Sequence, residues 1–169
     1  MAAWSLRRPP RLKSFDYRGM YSYFVTCCVA DRRAIFMSND VVEPLRAQML
    51  RTCSEREFAI DADVWMPDHL HALIRGQTRD SAFKPMMTLF RQRTAISFRA
   101  VRDIDLWQDG YYDHVLRDDE SPLSVIEYMI LNPVRAQLVE KPVDCPFTYL
   151  ASGYAEYFFK QNPRCSAEL

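Results

Sequence analysis

Residues 58–74 read FAIDADVWMPDHLHALI, and the fold turns on them. From Phe58 to Met66 apolar and polar residues alternate, the period-2 signature of a strand. Pro67 and Asp68 are turn formers, and HLHALI resumes as a second strand, so the stretch predicts an antiparallel hairpin. Alternate side chains of a strand share a face. His69 and His71 therefore point one way, while Leu70 and Ala72 point into the core. The chain holds three histidines, and two of them stand here.

Outward from this hairpin, strands and helices alternate without repeats or low-complexity linkers. YSYFVTCCV, residues 21–29, follows Gly19 and is aromatic and β-branched, a first strand. Residues 40–55 carry Val41, Leu45 and Met49 at helical spacing, with Pro44 expected in the first turn. Residues 83–101 place Met87, Phe90, Thr94, Phe98 and Val101 on one helical face and Arg91 and Arg102 on another. YYDHVLR, residues 111–117, is a fourth strand. SPLSVIEYMILNP, residues 121–133, reads as a helix with Ser121 as N-cap, Pro122 as first helical residue and Pro133 as terminator. The order β-α-β-β-α-β-α predicts an α+β fold, a ferredoxin-like antiparallel sheet with helices packed on it.

With 169 residues, 49% of them hydrophobic, the chain fills one core and is short for two. No apolar run reaches the roughly 18 residues of a membrane span, and MAAWSLRRPPRLK lacks the apolar stretch of a secretory leader; a soluble, cytoplasmic protein is expected. Cys27, Cys28, Cys53, Cys145 and Cys165 are odd in number and form no CxxC pair, which argues against a disulfide framework and a zinc knuckle. Net charge is zero, but the signs separate along the chain. Arg75, Arg79, Lys84, Arg91, Arg93, Arg99 and Arg102 face Asp80 alone across residues 75–102, and the first 18 residues are also basic; residues 103–144 are acidic. A local basic face is what a phosphate backbone needs, although a solvated helix looks the same in sequence.

Two imidazoles on one strand face can converge on a metal ion, and they also occur on half-exposed strands without one. A metallo-β-lactamase pattern HxHxDH fails at Leu73 and Ile74, and a histidine triad fails at Leu73. His114 could complete a three-histidine zinc site or be a polar strand residue. In EYMILNP, Tyr128 and Asn132 lie four apart and stack on one helical face. An amide oxygen beside two imidazoles is a mixed N/O set suited to Mg²⁺ or Mn²⁺, and Tyr128 would lie near a phosphate bound there. Otherwise Tyr128 is a half-buried aromatic and Asn132 ends its helix.

PDHLHALI, then a basic helix, then WQDGYYDHVLRDDE, then IEYMILNPVRAQLV together resemble the REP-associated tyrosine transposases, relatives of the single-tyrosine insertion-sequence transposases in the HUH superfamily. The resemblance runs from about Tyr21 to Tyr149. It implies that His69 and His71 are the histidine–hydrophobic–histidine pair, that Asn132 is a third ligand to Mg²⁺ or Mn²⁺, and that Tyr128 is the nucleophile. The implied activity is cutting and rejoining of single-stranded DNA near REP-type hairpins through a 5′-phosphotyrosine.

On this reading Arg91, Arg93, Arg99, Arg102 and Arg117 contact DNA phosphates, and Trp107, Tyr111 and Tyr112 are candidates for stacking on unpaired bases. Residues 1–20 form a basic arm, 21–150 the HUH single-tyrosine domain and 151–169 a tail of no known resemblance. Gly19 stands alone where the family often has a glycine pair. The partner is single-stranded or hairpin DNA, the protein a monomer or homodimer. A second class is a hairpin-binding protein of transposase descent that does not cut.

Overall fold

The computed structural model describes residues 15–161. Most of the expected basic arm, residues 1–14, and the end of the tail lie outside the described residues. Strand β1 (Ser22–Cys28) leads through a loop to helix α1 (Asn39–Glu55), then to the hairpin β2 (Phe58–Met66) and β3 (His69–Gly76). Helix α2 (Phe83–Arg102) and β4 (Tyr112–Val115) follow, then α3 (Pro122–Ile130), α4 (Asn132–Arg135), β5 (Thr148–Leu150) and α5 (Ser152–Glu156). The five strands form one antiparallel sheet in the order β4-β1-β3-β2-β5. The α+β class and the element order expected from sequence are present, with β5 added at the edge. Among the described residues no helix is long and apolar enough to cross a membrane.

Both faces of the sheet are covered. On one, Tyr23, Val25, Cys27, Leu70, Ala72 and Ile74 meet α1 and α2 through Leu45, Met49, Phe83, Met86 and Phe90. On the other, Phe24, Val64 and Leu73 meet α3 through Val125, Ile126, Met129 and Ile130. Phe158 is 1% exposed and belongs to this second layer, so the segment after β5 closes over the α3 side.

The hairpin departs from simple alternation. A β-bulge between Ile60 and Ala62 inserts one residue, and an inserted residue reverses the facing of everything beyond it. Phe58 and Ile60 consequently join the α1/α2 layer, whereas Ala62, Val64 and Met66 join the α3 layer. The polar positions of the alternation are buried rather than solvated. Asp61 is bidentate with Arg75, both bonds 3.1 Å, and Asp63 accepts from Arg46 at 3.0 Å and from the Trp65 indole at 2.9 Å. Burial still pushes the Asp63 carboxyl up to about 6 against those bonds.

Ser121 is the N-cap of α3 and Pro122 its first residue, as expected, although the serine side chain makes no capping bond. Two local readings are corrected. Helix α1 begins at Asn39, which puts Pro44 beyond the first turn. Pro133 does not terminate the helix: α3 ends at Ile130, and Pro133 sits in the first turn of α4, where a missing N–H is tolerated.

Gly76 ends β3 against the backbone of Gly19; a Cβ there would lie 2.0 Å from the Gly19 carbonyl oxygen. Overpacking against backbone has no flexible side chain to yield. Gly76→Ala should cost about 2–3 kcal/mol and lower Tm by roughly 5–10 °C, which thermal denaturation followed by circular dichroism will read; an unchanged Tm would show that the strand end moves freely.

Candidate active site

Register brings the site together. β3 pairs with β1 so that Thr26 stands opposite His71 and Cys28 opposite His69. Directly paired residues share a face, so all four side chains lie on the α3 side. His71 is buried, 3% exposed. Its Nε2 lies 3.1 Å from the Nε2 of His69. Each ring is held from behind: His71 Nδ1 lies 2.9 Å from Thr26 Oγ1, and His69 Nδ1 lies 2.6 Å from Asp68 Oδ1. Arg32 in turn holds Asp68 at 2.9 Å. Asp31 and Arg32 both have left-handed backbone, φ 56° and 55°, a conformation costly for residues with a side chain. The surrounding loop is fixed to the hairpin turn by Val29 N–H to Asp68 O and by Ile35 and Phe36 N–H to Pro67 O.

The two Nε2 atoms converge with their Nδ1 partners set, the arrangement that orients imidazoles as ligands. Burial lowers the affinity of both rings for protons; His71 is held well below the ordinary histidine value, with His69, Arg135 and Arg32 adding repulsion, while Asp68 partly restores His69. Both rings are thus neutral at pH 7.

From the facing helix, Tyr128 closes over His71. Their ring centroids are 6.2 Å apart and tilted by 64°, and Tyr128 meets Phe24 edge-on at 6.2 Å. Arg135 lies over the Tyr128 ring at 4.7 Å, bonds the Tyr128 carbonyl, and donates to Asn132 Oδ1 at 2.9 Å. Tyr128 and Asn132 therefore share a side, as their spacing predicts, with one guanidinium touching both. Burial raises the Tyr128 phenol above its usual pKa; the Arg135 charge and the nearby Asn132 amide pull it back. Asn132 Nδ2 is buried with no hydrogen-bond partner of ordinary geometry.

The other candidates fall elsewhere. His114 is engaged by Glu120 at 2.7 Å, and among the described residues no group of three His, Cys, Asp or Glu side chains is placed to share an ion; the three-histidine alternative does not form. Trp107 is core, its indole N–H donating to Thr94 Oγ1 at 2.8 Å. Tyr111 packs against Phe83 in the α1/α2 layer, while Tyr112, opposite Thr26, shares the site face. Helix α2 lies across the sheet from Tyr128, and its arginines have partners: Arg91 with the Gln108 carbonyl, Arg93 with Glu55 at 2.6 Å, Arg99 with Asp105, Arg102 with Asp40 at 3.9 Å. Arg117 follows β4, and its N–H donates to Glu120.

Thr26, Arg32, Asp68 and Arg135 were not singled out by sequence reasoning. Asp68, next to His69, and Arg135, three residues after Asn132, carry a signal in their spacing; Thr26 and Arg32 carry none until strand register is known.

An antiparallel sheet with a paired histidine strand facing a tyrosine helix defines a class. Residues 18–131, well over half of the chain, match the family described as Transposase IS200 like, and the chain belongs to that family. It is similar to the REP-associated tyrosine transposase of Escherichia coli strain K12, 23% identical over 137 residues that span 79% of this chain and 81% of the relative. It is also 27% identical over 170 residues to an uncharacterised protein of Haemophilus influenzae, covering 76% of this chain and 88% of that one. A solved REP-associated tyrosine transposase bound to a REP hairpin superposes with a TM-score of 0.69 over 83% of this chain and 82% of its own, at 21% identity, a likeness of fold.

Proposed function

We propose that the protein is a metal-dependent single-stranded DNA endonuclease and strand-transfer enzyme acting near REP-type hairpins, with Tyr128 as nucleophile. The observation that carries the reading is the 3.1 Å convergence of two neutral, back-held imidazoles beneath the Tyr128 ring. The hairpin as partner is supported by the relative solved with a REP hairpin.

The donor set fits a hard or borderline divalent ion. Two nitrogens about 2.1 Å from one ion at a right angle are about 3.0 Å apart, close to the spacing here. His69 Nε2 and His71 Nε2 would hold the ion, with Asn132 Oδ1, whose second lone pair is not used by Arg135, as the oxygen donor; such a mixed set suits Mg²⁺ or Mn²⁺. When bound, the cation polarises the scissile phosphate and offsets charge on its oxygens. Tyr128 Oη attacks phosphorus, the bond from phosphorus to the 3′-oxygen breaks, and the chain is left with a 5′-phosphotyrosine. The phenol loses one proton and the departing 3′-oxygen gains one. Arg135, over the ring, lowers the cost of phenolate and so opposes the penalty of burial. Attack of a 3′-hydroxyl on the phosphotyrosine reverses the step and rejoins the strand.

The test is incubation with hairpin oligonucleotides carrying single-stranded flanks, with Mn²⁺, followed by a denaturing gel for the protein–DNA adduct. Binding without an adduct under any divalent ion would leave the non-cutting hairpin binder as the reading.

Phosphate contact by α2 is a separate part of the proposal, and it requires Arg91 and Arg102 to face DNA on the side of the sheet away from Tyr128. Arg91→Ala with Arg102→Ala should lower the slope of log affinity against log salt by about 2, measured by fluorescence anisotropy from low to physiological salt. An unchanged slope returns α2 to a solvated, ion-paired helix.

A further inference from the structure

Beside the site, at the closed end of the β2–β3 hairpin, lies an apolar pocket of about 180 Å³. Its lining includes Trp65, Met66, Pro67, Pro133 and Phe147. These residues adjoin the proposed machinery directly: Met66 pairs with His69, Pro67 precedes Asp68, and Pro133 follows Asn132. Pocket and site share a wall.

We propose that this pocket receives one unpaired nucleobase of the substrate strand, next to the scissile phosphate. The inference rests on the proposed action on single-stranded DNA and adds where the strand is gripped. No charged side chain lines the pocket, which excludes the sugar–phosphate part of a strand and leaves the base as the portion with neutral, stackable faces. The volume is below the roughly 300 Å³ at which pockets begin to take drug-sized ligands, so the occupant is one small ring system, not a base pair.

Two of the backbone acceptors in its walls are already used: Pro67 O takes the N–H groups of Ile35 and Phe36 at 2.8 and 3.0 Å, and Phe147 O takes that of Trp65 at 3.0 Å. With apolar side chains lining the pocket, recognition comes mainly from stacking and fit and tolerates sequence, as base–aromatic contact does. At the rim, Met37 and Leu138 are 61% and 49% exposed. An adaptable Met side chain and a loop Leu are suited to closing over an inserted base.

The test uses the intact protein in excess EDTA, so that no strand is cut, and a hairpin oligonucleotide whose single-stranded flanks carry an abasic site at each position in turn. Binding should fall about tenfold at one position, in keeping with the loss of one stacked base, while exchange among the four bases there should change it far less. Leu138→Trp, an exposed position whose new ring would occupy the pocket, should lose the same factor on the intact strand and nothing further on the abasic one. Independently of that variant, Cys145, a partly exposed thiol in the lining, should be alkylated by iodoacetamide more slowly with the intact strand than with the abasic strand. The inference is overturned if no flank position is sensitive, if the Leu138→Trp and abasic losses multiply, or if both strands shield Cys145 equally. A strand that binds and is pocket-coupled but yields no adduct with Mn²⁺ overturns the cleavage reading alone; a protein that binds no single strand overturns both.

Discussion

Tyr128→Phe should yield a folded protein that binds hairpin DNA and forms no covalent adduct with it. The ring contacts with Phe24 and His71 and the stacking of Arg135 depend on the aromatic face, which phenylalanine keeps, so Tm should move by no more than a few degrees. Only Oη is removed, and with it the atom that would become bonded to phosphorus. Adduct and cleavage should fall by at least about a thousandfold, as when a covalent nucleophile is deleted.

Tyr111 and Tyr112 are the rivals. Tyr111 packs on the far side of the sheet with Phe83. Tyr112 shares the site face, but its phenol is raised by burial and by Asp113 and Glu120, whereas the Arg135 charge opposes the burial of Tyr128. Tyr112→Phe should therefore keep the adduct. An adduct that survives Tyr128→Phe and disappears with Tyr112→Phe would move the nucleophile to β4.

The long periodic elements were legible because their signal is local. Spacing alone locates α1, α2, α3 and the hairpin, and strand alternation alone aligns His69 with His71. What sequence could not show depends on contacts between distant segments. Alternation in FAIDADVWM implies one buried face, yet the bulge at residue 61 divides the same residues between two layers, and no periodicity marks where a bulge falls. β5 has three residues, too few for a pattern, and Phe158 is core only because the chain turns back onto α3. Two of the α2 arginines, Arg93 and Arg102, read as part of a free basic face because their acids, Glu55 and Asp40, come from α1. Thr26 became visible as the support of His71 only once register set them opposite each other.

That support gives the last prediction its discriminating power. His71→Ala should weaken Mn²⁺ binding by more than about a hundredfold, beyond the 10–100-fold that loss of a supporting partner alone produces, and adduct formation should fall with it. The substitution is also a core deletion: His71 is buried and stacks on Phe24 at 5.3 Å, so a cavity cost of about 2–3 kcal/mol accompanies it, and lost activity by itself would not separate a ligand from a packing residue. Thr26→Val separates them. It preserves shape and removes one hydroxyl, leaving His71 in place with Nδ1 unsupported. If the imidazoles hold a cation, Thr26→Val should weaken Mn²⁺ binding by about 10–100-fold, read by isothermal titration calorimetry, and raising Mn²⁺ should restore adduct formation. A packing role for His71 predicts the opposite pattern: a shift in Tm, unchanged Mn²⁺ affinity, and no rescue. Adduct formation at the full rate in excess EDTA would remove the cation from the reaction and leave the two histidines as a structural pair beneath Tyr128.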